Sequence, residues 1–241
     1  MNDMLETYRG EALAWEADDL GHMNMRYYLA RAAQGRAYLL GQLQLPRAFK
    51  ADAMSTVVPL NQHIHYKAEL RPAQGIYVQS GILHIGETDM QVLHLIRHSD
   101  GTLSASIVET VSHISMRTKA AFAWPSRMLA AATSYMCDLP PEAAPRNIDL
   151  ASAMPWPGQE GVKQAEDIGL QNIGRGAFSA NESDVFGFVR PVDVMGRISD
   201  SAQHLTAAWP DMEFYDRASE SEHSGALLEV YIAHLGRAQP G

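Results

Sequence analysis

Three features of the 241-residue sequence predict an α+β fold in which one long helix lies against an antiparallel sheet. Over residues 24–43, Met25, Tyr28, Leu29, Ala32, Leu39, Leu40 and Leu43 recur at helical spacing and form one apolar stripe. From Leu60 onward the period drops to two, with Ile64, Tyr66, Ala68 and Leu70 on one face and His63, His65, Lys67 and Glu69 on the other. Gly86-Glu87-Thr88 and Ser99-Asp100-Gly101 then separate further apolar runs in the manner of hairpin turns, the Asp-Gly pair giving the stronger signal.

In chain order, residues 8–16 read as a first strand and 24–43 as the helix. Ala30, Ala32, Ala33 and Gly35 keep the middle of that helix small; a helical glycine costs about 1 kcal/mol against alanine, so a closely approaching sheet is the expected reason for Gly35. The period-two segment is a half-buried strand, and strands over 76–85, 90–98 and 102–116 follow it. Residues 1–117 thus make one unit. Residues 118–172 differ in character. An Ala-rich stretch predicts one helix near 126–136, and Leu139-Pro140-Pro141, Pro145 and Pro155-Trp156-Pro157-Gly158 mark a linker.

Residues 173–241 carry a partial repeat of the first unit. When the sequence is slid along itself by the spacing that brings Asp18 onto Asp184, Arg9-Gly10 meets Arg175-Gly176, Glu16 meets Glu182, Gly21 meets Gly187, Arg31 meets Arg197 and Leu39 meets Leu205. Arg71 and Gly75 then meet Arg237 and Gly241 without a gap. The identities concentrate on one turn, Glu-x-Asp-x-x-Gly, which favours duplication over chance. Nothing corresponds to residues 76–117, so the second unit is expected to be incomplete, with a bare sheet edge. Either another chain covers that edge, in a homodimer or higher homo-oligomer, or the sequence is the front part of a longer one.

Composition excludes several function classes. A net charge of −9 with 19 dispersed Lys and Arg disfavours nucleic acid as a partner. The single cysteine, Cys137, permits neither an internal disulfide nor a Cys-rich zinc site, and fits a cytoplasmic protein. The first residues are acidic where a signal peptide is basic, and no clean run of about 18 apolar residues is present, so neither a targeting segment nor a membrane span is expected. Gly-x-Ser-x-Gly, a Walker loop and His-Glu-x-x-His are absent, and Gly174-x-Gly176 lacks its third glycine at Ser179.

The chemistry concentrates in Trp15-Glu16-Ala17-Asp18-Asp19-Leu20-Gly21-His22-Met23-Asn24, between the first strand and the helix. A carboxylate, an imidazole and a carboxamide converge there on a helix N-terminus, whose free N–H groups and dipole favour a developing oxyanion. Asp18 is placed to act as nucleophile or as base toward water, with His22 and Asn24 positioning the carbonyl or the water. Alone, Asp18 also reads as a helix-start cap and His22 as a structural hydrogen-bonding residue; only the cluster favours catalysis.

Asp18-x-x-Gly21-His22-x-Asn24 followed by Tyr28-Leu29 resembles the signature of hotdog-fold acyl-CoA thioesterases, the 4-hydroxybenzoyl-CoA thioesterase-like superfamily, with the likeness covering about residues 5–117. The resemblance implies a sheet wrapped around the central helix, a tandem hotdog whose second unit serves as internal partner, and a site between the two units. It makes Asp18 the catalytic carboxylate, has Gly21 and His22 present backbone N–H groups to the thioester oxygen, and has Asn24 hold substrate or water. Tyr28 is assigned first to core packing and also to substrate contact. The second copy keeps Asp184 and Gly187 but has Phe188 and Arg190 where His22 and Asn24 stand, so one competent site per chain is implied. Arg190 is assigned to a carboxylate or to the CoA phosphates. The implied reaction is hydrolysis of an acyl-CoA or acyl carrier protein thioester to the free acid, with no cofactor and no metal.

Two alternatives stay open. One is a non-catalytic acyl-thioester-binding module, motivated by the degraded second copy. The other is a metal enzyme, because His63-x-His65-x-x-x-Glu69 with Gly75 partly resembles the first cupin motif, although its partner motif is not found downstream. For that pattern the competing interpretation is a solvated polar strand face.

Overall fold

The computed structural model describes residues 4–149, 161–204 and 227–241; Pro155-Trp156-Pro157-Gly158 of the expected linker and Leu205 of the repeat lie outside the described residues. Strand β1 (Leu5–Glu11) leads to helix α1 (Met25–Gln42) and then to strands β2 (Ser55–Tyr66), β3 (Gly75–Ile85), β4 (Asp89–His98) and β5 (Leu103–Ser115). The expected order holds, with both hairpins at the anticipated turns; Gly101 takes a positive φ of 93° in the second. The first strand is shorter than its sequence reading. It stops at Glu11, and Ala14–Glu16 form a 3-10 turn. Glu16 forces this turn, because its carboxylate accepts the Leu13 N–H at 3.1 Å and is gripped by Arg31 of α1 at 2.6 and 2.7 Å.

α1 buries the face that its spacing marked, with Tyr28, Leu29, Ala32, Leu39 and Leu40 all nearly inaccessible. Gly35 lies on that face where the sheet comes closest: a Cβ there would stand 2.8 Å from Thr7 Oγ1, 3.1 Å from Ser80 Oγ and 3.3 Å from His94 Nδ1. The close approach expected at this glycine is present, and what it meets is polar.

The sheet is antiparallel throughout, in the order β1-β3-β4-β5-β2-β6, where β6 is Glu229–Ala233. Its inner face carries Ile64, Val78, Ile96 and Ile107 toward α1. The outer face departs from the sequence reading, which left it half-exposed. His63 and His65 are only 2% and 3% accessible, because residues beyond Pro140 run across this face and seat Ala143 on Leu93, Leu95 and Val108. Residues 118–149 are accordingly packed against the sheet, with Trp124, Met128 and Ala132 joining Leu39, Leu40 and Ile82 in one cluster. The helix expected over 126–136 is α2 (Ser126–Ala132) followed by a 3-10 turn, Thr133–Tyr135. It ends early because the chain leaves it to run beside β3, where the Cys137 N–H donates to the Ile82 carbonyl at 2.9 Å.

Beyond the short helix α3 (Gly161–Asp167), α4 (Pro191–Ser201) packs against α1. Gly196 permits this, since a Cβ there would collide with the Arg26 guanidinium. β6 adds to the free edge of β2, in a register that sets Asn61 against Ala233, Ile64 against Val230 and His65 against Glu229.

Candidate functional site

The Asp18 turn is closed by its own residues. The Asp18 N–H donates to the His22 carbonyl at 2.8 Å, and the Gly21 N–H to the Asp18 carbonyl at 3.1 Å, with Gly21 at φ 78°, a backbone conformation that suits glycine. Asp18 Oδ1 accepts the N–H groups of Leu20 at 3.0 Å and His22 at 3.1 Å, while Oδ2 has no hydrogen-bond partner among the described residues. The Gly21 and His22 N–H groups, expected to face a thioester oxygen, are therefore both engaged by Asp18 itself.

Asn24 caps α1, its Oδ1 accepting the Arg26 N–H at 3.1 Å, and its Nδ2 donates to Ser199 Oγ of α4 at 2.9 Å. The His22 ring does not reach Asp18. Its Nε2 lies 3.0 Å from Glu69 and 2.9 Å from Arg71, at the end of the chain segment that follows β2. Tyr28 lies in the core: it is 4% accessible, meets Tyr66 edge-on at 5.2 Å, and burial raises the pKa of its hydroxyl.

The same turn recurs at the sequence offset that relates Asp18 to Asp184. Asp184 N–H donates to the Phe188 carbonyl at 2.8 Å, Asp184 Oδ1 accepts the N–H groups of Phe186 and Phe188 at 2.8 and 3.0 Å, and Gly187 has φ 80°. A 3-10 turn, Ala180–Glu182, precedes it as Ala14–Glu16 precedes Asp18, and Arg197 stands 3.8 Å from Glu182 as Arg31 stands against Glu16. Arg190, at the position of Asn24, meets a carboxylate of this chain: its Nε donates to Asp193 at 2.6 Å and its Nη2 to the Asn181 carbonyl at 3.0 Å.

A cavity of about 510 Å³ opens between α1, β2 and the Asp184 turn. Behind it lies a buried polar network that no local spacing in the sequence announced. Arg36 Nη1 donates to both oxygens of Glu109 at 2.6 and 2.5 Å, Gln62 Nε2 donates to Glu109 at 3.0 Å, and His94 Nε2 lies 3.0 Å from the same carboxylate. His94 Nδ1 continues to Ser80 Oγ at 2.7 Å, and Ser80 to Thr7 at 2.6 Å. Burial alone would raise the pKa of Glu109; the Arg36 charge and the His94 hydrogen bond outweigh it and hold the carboxyl at about 2. Arg36, Glu109 and His94 are spread over α1, β5 and β4, so only the sum of their cross-sheet positions could have revealed the cluster.

The third pattern singled out in the sequence does not assemble. His63 bonds Glu229 at 2.7 Å on the covered outer face, and Glu69 is turned to His22, so His63, His65 and Glu69 do not share a centre. No metal-binding group of three His, Cys, Asp or Glu side chains is found among the described residues. Among them, too, no helix is long and apolar enough to cross a membrane.

Solved structures of similar fold include an acyl-ACP thioesterase from Bacteroides thetaiotaomicron, 14% identical with a TM-score of 0.67, the match covering 97% of this chain and 82% of that one. A protein provisionally named an oleoyl thioesterase, from Lactobacillus plantarum, is 15% identical with a TM-score of 0.63, over 83% of this chain and 72% of its own. A hypothetical Staphylococcus aureus protein in complex with CoA is 18% identical with a TM-score of 0.52, over 64% and 98%. At these identities the likeness is one of fold. No curated protein matches the chain. Residues 12–132, which contain the Asp18 turn, α1 and β2 to β5, match the family described as the thioesterase-like superfamily, and the chain belongs to that superfamily.

Proposed function

We propose that this protein hydrolyses an acyl thioester at the Asp18 turn, and that residues 173–241 form an incomplete second hotdog unit set against the first. The observation that carries the reading is the placement of the turn: it heads the central helix and is tied to α4 through Asn24 and Ser199. The pairing of Ile64 with Val230 and the repeated turn geometry support the tandem arrangement.

In this reading Asp18 Oδ1 stays committed to its two N–H groups, which fixes the carboxylate, and Oδ2 takes a proton from water. The hydroxide formed attacks the thioester carbon, the carbonyl oxygen takes up negative charge near the head of α1, and as the C–S bond breaks the proton on Asp18 passes to the leaving sulfur, releasing the acid and the thiol and restoring the carboxylate. Asn24 and His22 border the water and the acyl group. The substrate class is an acyl-CoA or acyl carrier protein thioester, in keeping with the acyl-ACP thioesterase and the CoA-bound protein of similar fold.

The test is free-thiol release from short, long and aromatic acyl-CoAs and from an acyl carrier protein thioester, with Asp18→Asn beside wild type. Asn retains the Oδ1 acceptor and hence the turn, so the variant is expected to fold while losing about a hundredfold or more of turnover. Equal turnover in both proteins would remove Asp18 from the mechanism. A second reading, thioester binding without hydrolysis, is favoured by the engagement of the Gly21 and His22 N–H groups within the turn, and tight acyl-CoA binding with no thiol release would establish it.

A further inference from the structure

A second cavity, of about 570 Å³, opens at the opposite end of α1 from the Asp18 turn, where Gln44 and Leu45 follow the helix. The 18 residues of α1 span about 27 Å, so the two places are separate. Arg47 and Asp52 line the cavity as an ion pair, and Arg127 lines it with no carboxylate partner among the described residues.

Ser55 and His113 line it too. They stand 58 residues apart in the sequence, and strand register brings them together: Val57 of β2 pairs with His113 of β5 and Ser55 with Ser115, so Ser55 and His113 are diagonal neighbours on one face of the sheet. Ser55 Oγ lies 3.1 Å from His113 Nε2, and Nδ1 of the same ring lies 3.4 Å from the Ala123 carbonyl oxygen. A carbonyl only accepts, so Nδ1 carries the proton. Burial lowers the pKa of His113 and keeps the ring neutral, which leaves Nε2 bare to accept the Ser55 hydroxyl proton. Trp124 stacks on the imidazole at 5.0 Å with 5° between the planes, and Phe122 packs against it at 4.0 Å, so the ring is held in this orientation. A hydroxyl bonded to an oriented, unprotonated imidazole at the wall of a cavity is the arrangement that makes a serine nucleophilic.

We propose that Ser55 and His113 form a second reactive site, independent of the Asp18 turn, that hydrolyses a small carboxylic ester through an acyl-serine intermediate. Ser55 Oγ bonds to the ester carbonyl carbon as its proton passes to His113 Nε2; the C–O bond to the alcohol then breaks, and His113 returns that proton to the departing oxygen. Water attacks the acyl-serine in the same two steps, giving its proton to His113 and freeing the acid as Ser55 regains a proton. Arg127 is the unpaired charge available to the carbonyl oxygen as it becomes negative. The volume is in the range of sites that enclose small ligands.

Phenylmethanesulfonyl fluoride tests the site, with mass spectrometry locating the label, on the Asp18→Asn chain so that hydrolysis at Asp18 plays no part. The folded chain is expected to take the sulfonyl group on Ser55 with release of fluoride, whereas Ser55→Ala and the chain unfolded in urea should not be labelled there. His113→Gln, which removes the base, should slow labelling about a hundredfold or more, with its melting temperature confirming the fold. Turnover of para-nitrophenyl acetate should survive Asp18→Asn and be lost in Ser55→Ala. No label on Ser55, equal labelling of the folded and the urea-unfolded chain, an unchanged labelling rate in His113→Gln, or ester turnover undiminished in Ser55→Ala would overturn the proposal. The comparison with the unfolded chain and the Ser55→Ala assay need no change at His113, so they decide it even where His113→Gln loses its fold.

Discussion

Ile64 of β2 lies directly opposite Val230 of β6, and the sequence separation between these two positions is the one that relates Asp18 to Asp184. As in any antiparallel pair, the ladder runs on from there, His63 meeting Tyr231 and His65 meeting Glu229. β6 thereby covers the edge of β2 that would otherwise be free to pair with another molecule.

Val230→Asp puts a charge on the inner face beside Ile64. The cost should be about 2–4 kcal/mol, read as a lower urea midpoint, because the carboxylate would be set among apolar side chains. A change smaller than about 0.5 kcal/mol, the size expected of an ordinary surface substitution, would mean that β6 is not held in this register.

Gly35→Ala tests the closest approach of α1 to the sheet. Helix propensity alone would make alanine about 1 kcal/mol better, yet the new methyl would stand 2.8 Å from Thr7 Oγ1 and displace it from Ser80. A net loss of about 1–3 kcal/mol is expected from the overpacking. In a Thr7→Ala background the same substitution should cost much less, and an unchanged cost would locate the clash elsewhere.

Glu109→Gln leaves the Arg36 charge buried without its partner. Loss of about 3–5 kcal/mol is expected in denaturant unfolding. Replacing Arg36 and Glu109 together by apolar residues should recover part of that loss, because the cost belongs to the orphaned charge.

Acid should unfold the protein through two carboxylates. Glu109 is held at about 2, and Glu229 at about 2 as well: burial would raise the latter, but the Arg146 and Asn147 N–H groups and His63 outweigh it. Both lie below the ordinary value of 4.5, so each adds stability that is fully present above pH 4.5 and is lost as the pH falls toward 2, on the order of 3 kcal/mol for the fully buried Glu109 and less for Glu229. The urea midpoint should be nearly flat from pH 7 to about 5 and fall steeply below about 4. Glu109→Gln should flatten the acid limb; an unaltered limb would assign acid sensitivity to other groups.

The sequence was most legible where structure is local. Gly21 with Asp18 specifies a turn, the Tyr28-Leu29-Ala32 spacing specifies a buried helix face, and Gly35 announces a close approach, because each depends on residues within a turn or two of one another. Misreadings occurred where a distant partner intervened. Arg31 draws Glu16 out of β1, Ile82 holds Cys137 beside β3 so that α2 stops at Ala132 short of 136, and the residues after Pro140 bury the histidines of β2 that period two had left to solvent.

By itself, then, the sequence determined the α+β order, the central helix, the Asp18 turn and its recurrence at Asp184, since short-range backbone geometry and side-chain period are written in consecutive residues. Only the tertiary structure decided that the Gly21 and His22 N–H groups are already taken by Asp18, and that Arg36, Gln62, His94 and Glu109 form one network behind a cavity. Those groups come from four elements of the fold. They share a site because antiparallel register and the seat of α1 bring them together, and at such range only the closed sheet fixes the distances on which hydrogen bonding and charge pairing depend.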